Sequence, residues 1–434
     1  MMQQIQHFKK KEDFLNSSLS THTHLHIDLN KNIIGYKGAI GLGSALANCI
    51  NLSNLTLYLN FNNIAVKTAS GLGSRLAKCN YLSKLTLFLN SNKISDGGAS
   101  GLASGLAKCT NLSNLTLSLN QNNIAAKGAS GLSSGLAKCT NLSNLTLFLN
   151  DNKIGNQGVL GLGSGLANCT NLSDLALNLD SNNIAAKGAS GLASGLANGT
   201  NLSNLTFSLN YNQIHDEGTS ILASALAKCT NLSNLIISLK QNQIGDEGAS
   251  CLGSGLFKCT NLSNLTLDLE KNQIDDKGTS CLGQGLANCT NLSNLTLDLD
   301  SNNIASKGAS GLASGLAKCI NLSNLTLSLK KKQSIKLSRC PSKKLNQIHQ
   351  NVIPQSNNEQ IESFKNIEYF QVYEYDQEIK DEIIYIEQNS PKHTIYKGKA
   401  YKFKSRINTL EGFTIPKSTS DGHEEKNFGT KIPN

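Results

Sequence analysis

Between residues 21 and 330 the leucines recur at a fixed step of 30 positions. Units begin at Thr21, Asn51, Tyr81, Asn111, Asn141, Asn171, Asn201, Asn231, Asn261 and Asn291, with a half unit at Asn321, and no insertion breaks the register. Each unit joins two halves with different periods. In the first, Leu265, Leu267 and Leu269 alternate with Thr266, Asp268 and Glu270, the two-residue period of a strand with one buried face. In the second, Ala99, Leu102 and Leu106 fall at helical spacing on one face. Strands this short have no stability alone, so each must pair with its copies in neighbouring units. The pattern therefore predicts an α/β solenoid, with a parallel sheet along one side and helices along the other.

Residues fixed within the unit refine this picture. An Asn follows each strand, from Asn32 and Asn62 through to Asn302. An inward amide there offers donors and acceptors to turn backbone that has no ladder partner, so these residues read as structural. Nine of the 12 cysteines occupy one position (Cys49, Cys79, Cys109, Cys139, Cys169, Cys229, Cys259, Cys289 and Cys319), with Gly199 in the sixth unit. They read as stacked, reduced, buried thiols rather than disulfides or metal ligands. Helical segments such as GLGSGL are glycine-rich, which costs about 0.8–1.0 kcal/mol per glycine relative to alanine, so stacking must stabilise them. The same run lacks the spacing of a nucleotide-binding loop. Lys78, Lys108, Lys138, Lys228, Lys258 and Lys318 fall where helices end, which suits the helix dipole.

The run L-x-L-x-x-N-x-I followed by a Gly-Ala-Ser-x-Leu-x-x-x-Leu helix resembles the ribonuclease-inhibitor class of leucine-rich repeats over residues 21–330. One departure is a longer leucine series in each unit, as at Leu52, Leu55, Leu57 and Leu59. The resemblance implies a horseshoe with a sheet-lined concave face and a helical convex face, used to bind other proteins. Proteins of this class include nuclease inhibitors, sensor arrays of innate-immune receptors and activators of the Ran GTPase. The expected function is thus a non-catalytic, intracellular protein-binding scaffold. The alternatives are a GTPase-activating or other signalling regulator, or the targeting region of a kinase-type protein whose catalytic domain is absent.

Composition narrows this reading. Hydrophobic residues make up 39% of the chain, but only 5% is aromatic and there is no Trp, so the core is aliphatic. The formal charge of +10 divides into +4 for residues 331–434 and +6 for the rest, and no nucleic-acid partner is expected. The opening MMQQIQHFKKKEDFLNSSLS lacks the apolar run of a secretory signal, and no apolar stretch suffices to span a bilayer. Asn-Leu-Ser and Asn-Leu-Thr recur as formal glycosylation acceptors on segments expected to be packed. A cytoplasmic monomer follows as the expectation, with a nuclear location as the alternative. No catalytic residue, metal site or cofactor is expected. His22, His24 and His26 read as polar residues on an exposed first strand.

If the alternating leucines are buried, the intervening positions face outward, and there the units differ most. Tyr58, Phe88 and Phe148 supply rings within the strands, with Phe61 and Tyr211 just beyond. Asp268, Glu270, Asp298 and Asp300 supply carboxylates near the far end. These nine are the candidate partner-binding residues. Residues 1–20 form an N-terminal segment, and residues 331–434 a basic linker and tail, partly disordered or a small β element. Lys330 to Lys344 contain no acid, and TIYKGKAYKFK at 394–404 reads as a hairpin about Lys397 and Gly398.

Overall fold

In a computed structural model, residues 5–329 and three later strands, Tyr369–Tyr373 (β13), Glu382–Ile386 (β14) and Ile395–Lys399 (β15), are described. Eleven strands of five residues, from His24–Asp28 (β2) to Asn324–Ser328 (β12), lie one repeat apart. All pair in parallel with unshifted register: Leu265 sits beside Leu295 and Leu235, and Tyr58 beside Phe88. Between successive strands run helices, from Gly35–Asn48 (α2) to Ser306–Leu316 (α11). We call each strand with its following helix a coil.

The leucine series resolves simply. Leu55 and Leu57 point from Asn54–Tyr58 (β3) into the core, Leu59 continues the buried face one step beyond the strand, and Leu52 packs below it. Ala99, Leu102 and Leu106 bury the inner face of Ser95–Leu106 (α4). The core is one continuous aliphatic layer between sheet and helices. Its order is local: every coil touches mainly the coils beside it, so burial is shared between neighbours.

From Asn62 to Asn302 the Asn ladder fills its predicted role, whereas Asn32 in the first repeat is exposed and its side-chain amide donates only to the Asn30 carbonyl of its own turn. Asn92 Oδ1 accepts from the backbone of Asn62 and Ile64, both at 2.9 Å, while its Nδ2 donates to the carbonyls of Leu59 at 3.0 Å and Leu89 at 2.8 Å. One buried amide thus satisfies backbone groups of two coils. The nine cysteines are buried and free of disulfides. Cys139 Sγ lies 3.5 Å from the Leu106 carbonyl of the preceding coil, and the thiol pKa is pushed up to about 12 by burial.

The glycines carry a requirement that periodicity does not show. A Cβ added at Gly105 would lie 2.1 Å from the Gly73 carbonyl oxygen on Val66–Leu76 (α3). Adjacent helices approach too closely there for any side chain. The helix starts also follow a rule of their own. Asp96 Oδ1 accepts from Ala125 N at 2.7 Å, across to the start of Ala126–Leu136 (α5). Asn156, Asp216, Asp246 and Asp276 cap the following coil in the same way. Where Val66, Ala126 or Ala186 holds that position, the following helix begins instead at a left-handed residue: Ser95, Gly155 or His215. The helix starts therefore alternate through the coils of residues 81–230.

Three expectations need correction. The first repeat strand is not an exposed edge, because Gln6–Phe8 (β1) pairs with it in parallel. Beneath β1, Phe14 of Lys11–Leu15 (α1) is fully buried, and His22 packs on Phe8 and Phe14 with its Nε2 2.8 Å from Ser17 Oγ. His22 is thus part of an apolar cap rather than a softened edge. The hairpin about Lys397 and Gly398 is also wrong: both residues lie within β15, which pairs antiparallel with β14. Finally, the acceptor asparagines that open the units are exposed, with Asn111 Nδ2 donating to the Asn80 carbonyl at 2.7 Å. The basic stretch Lys330–Lys344 lies outside the described residues. Among the described residues no helix is long and apolar enough to cross a membrane.

Candidate functional site

The alternation that buries the leucines presents the other strand positions on the open face of the sheet, where equivalent positions form rows across the strands. The row through Tyr58 carries the widest variation. Tyr58 and Phe88 stack with centroids 4.7 Å apart and planes at 10°. His26 adjoins Tyr58 at 5.3 Å, and His7 of β1 adjoins His26 at 4.7 Å. Four rings on adjacent strands β1, β2, β3 and Lys84–Phe88 (β4) therefore form one strip. Beyond it Ser118 is only 2% exposed, and Phe148 follows on the next strand.

Phe61 and Tyr211 stand elsewhere. Both lie in the turn after a strand, with φ of 58° and 57°, and are 53% and 48% exposed. Phe61 carries Lys31 Nζ 5.6 Å from its centroid, next to the strip, whereas Tyr211 is five coils away and does not join it.

The carboxylates do come together. Asp268, Glu270 and Asp298 offer oxygens within 4.8 Å of one another. The site is less open than an exposed surface would suggest: burial raises the Asp298 carboxyl above the usual range, opposed by the Asp300 backbone N–H and reinforced by the charges of Asp300, Asp268 and Glu270. Two further facts reduce its free charge. Asp268 and Asp298 each spend one oxygen on a turn N–H, of Glu270 at 3.0 Å and Asp300 at 2.9 Å. Glu270 is also paired with Lys240 and lies 3.5 Å from Lys271. Three carboxylates are a hard-cation donor set in kind, but here they are already committed to lysines and backbone.

The sequence places Ser118 in this row, but not His7, His26, Lys84 or Lys240 as parts of the face. His7 lies before the first unit, so no register places it. Lys84 was detectable, because it alone is basic in a row otherwise of Asn, apart from His24 and Asp174. The structure also gives meaning to a charge split along the array. Residues 21–150 carry ten basic and two acidic side chains, a net of +8, whereas residues 151–329 carry nine and thirteen, a net of −4.

A Leucine Rich repeat family profile matches residues 81–103, 175–193, 229–253, 261–283 and 291–313. No curated protein matches the chain. Each matched segment takes in all or most of a repeat strand and runs into the helix that follows it. The chain is a leucine-rich-repeat protein, its repeat strands joined in one open parallel sheet that alternates with helices.

Proposed function

We propose that the array is a non-catalytic scaffold of the ribonuclease-inhibitor-like subtype that binds another protein on the open sheet face. In this reading residues 1–20 cap the array, residues 21–330 present the surface, and residues 331–434 form a basic linker and tail, whose strand β13 lies parallel beside β12. Repeats of this family generally mediate protein–protein interaction, and the observation that carries the reading here is the stacked ring strip through Tyr58 and Phe88. Rings held rigid at a surface bury much area at little entropic cost, which makes them typical anchors of interfaces. Its two largest rings, Tyr58 and Phe88, also occupy the row in which otherwise copied units differ most, while His26 stands in the neighbouring row beside Thr56.

The test places a photo-crosslinking residue at Thr116, on the sheet face, or at Ser134, exposed on the helix face. Protein crosslinks from Thr116 and not from Ser134 are expected. The reverse pattern retires the sheet-face reading.

A further inference from the structure

The threonines Thr56, Thr86, Thr116 and Thr146 form a low row on four adjacent strands, β3, β4, Asn114–Ser118 (β5) and Asn144–Phe148 (β6). Taller side chains bound it: the rings of Tyr58, Phe88 and Phe148 on one side, Lys84 and the row of asparagines on the other. A recess of about 180 Å³ opens there, lined by Lys84, Thr86, Asn114, Thr116, Asn144 and Thr146. The groove crosses the strands, and four strands at ~4.8 Å spacing match about four to five residues of extended chain at ~3.3 Å each.

We propose that this groove binds an extended acidic peptide segment of the partner, with a carboxylate on Lys84 and apolar side chains against Tyr58 and Phe88. The inference rests on the sheet-face reading above and narrows it. Four observations support this occupant. Lys84 is exposed and makes no ion pair among the described residues. It is the only charged side chain facing outward from β3 to β6. The surrounding coils are the basic part of the array, which favours encounter with an acidic partner. Threonine hydroxyls and asparagine amides offer both donors and acceptors to a peptide backbone laid over them. A single-stranded nucleic acid would find rings to stack on, but one lysine on the face neutralises too few phosphates to hold it.

The test selects displayed random peptides, about twelve residues long so as to overfill the groove, on the full chain. Selected peptides are then titrated against Lys84→Glu, Lys84→Gln, Phe88→Ala and Asp298→Lys variants whose melting temperatures match the parent. Enrichment of acidic peptides with an aromatic or aliphatic residue is expected, with binding weakened about tenfold or more by Lys84→Glu and by Phe88→Ala. Basic peptides lost on Asp298→Lys, but not on Lys84→Glu, would overturn the groove and keep the sheet-face reading. Peptides indifferent to every sheet-face change, or no enrichment at all, would overturn the groove. Tighter Lys84-dependent binding of a single-stranded oligonucleotide would overturn it in favour of nucleic acid.

Discussion

At the scale of single residues, the repeated polar positions are structural and their removal has calculable effects. Asn152 Oδ1 accepts from Asn122 N at 3.0 Å and Ile124 N at 2.9 Å, and its Nδ2 donates to Leu119 O at 3.0 Å and Leu149 O at 2.9 Å. Stranding a buried polar group costs about 1–3 kcal/mol, so Asn152→Ala is expected to lower stability by more than about 2 kcal/mol in chemical denaturation. The cysteine ladder makes the stability pH-dependent. Burial raises these thiols from 9.0 in the ordinary state to about 11 for Cys109 and about 12 for Cys49 and Cys289. The unfolded chain therefore ionises first. Stability is full below pH 9 and drains away as pH rises through the folded values, so the melting temperature should fall over that window. Alkylation at neutral pH should label the half-exposed Cys251 and Cys281 before any ladder thiol, read by mass spectrometry.

Elements add information that no residue carries alone. In α3, a Cβ at Gly71 would meet nothing within 4 Å, whereas at Gly105 it would strike the backbone of the preceding helix. Gly71→Ala should therefore stabilise by about 0.5–1 kcal/mol through helix propensity. Gly105→Ala should destabilise, because two helices must separate to admit it. Melting curves of the pair check both signs, and equal effects would contradict the close packing. Here the limit of sequence reading is plain. Strand, helix, core leucines and Asn ladder were all legible, because each rests on a period or on a hydrogen-bonding inventory. The two glycine roles were not, since the segment looks the same whether a neighbouring helix lies against it or solvent does. The ring strip was half legible for a similar reason. Tyr58 and Phe88 share a register position, but His7 belongs to no unit and joins only through the pairing of β1 with β2.

The whole array is set by how coils follow one another. Asp96, Asn156, Asp216, Asp246 and Asp276 each cap the helix of the next coil, whereas coils after Val66, Ala126 and Ala186 begin at a left-handed residue. Deleting residues 111–140 would place the coil of Asp96 directly before the helix that opens at Gly155, and so mismatch cap and start. Deleting residues 111–170 would place it before the coil of Ala185, whose extended start fits it. The longer deletion is expected to leave the more stable protein, with the difference of order 1 kcal/mol that a lost cap costs. Denaturation midpoints of the two deletions decide this. An order following chain length alone would show that the caps are incidental.

That alternation also bears on heredity. An array of near-identical units gains and loses copies by unequal exchange between misaligned genes. Across residues 81–230, such exchange leaves every cap matched only when units move in pairs, so odd-numbered products enter selection with a folding handicap. From Asp216 onward, three successive coils each supply a cap to the next, and single units can move freely. Length polymorphism among natural copies should therefore run in even steps near the aromatic end and in single steps near the acidic end.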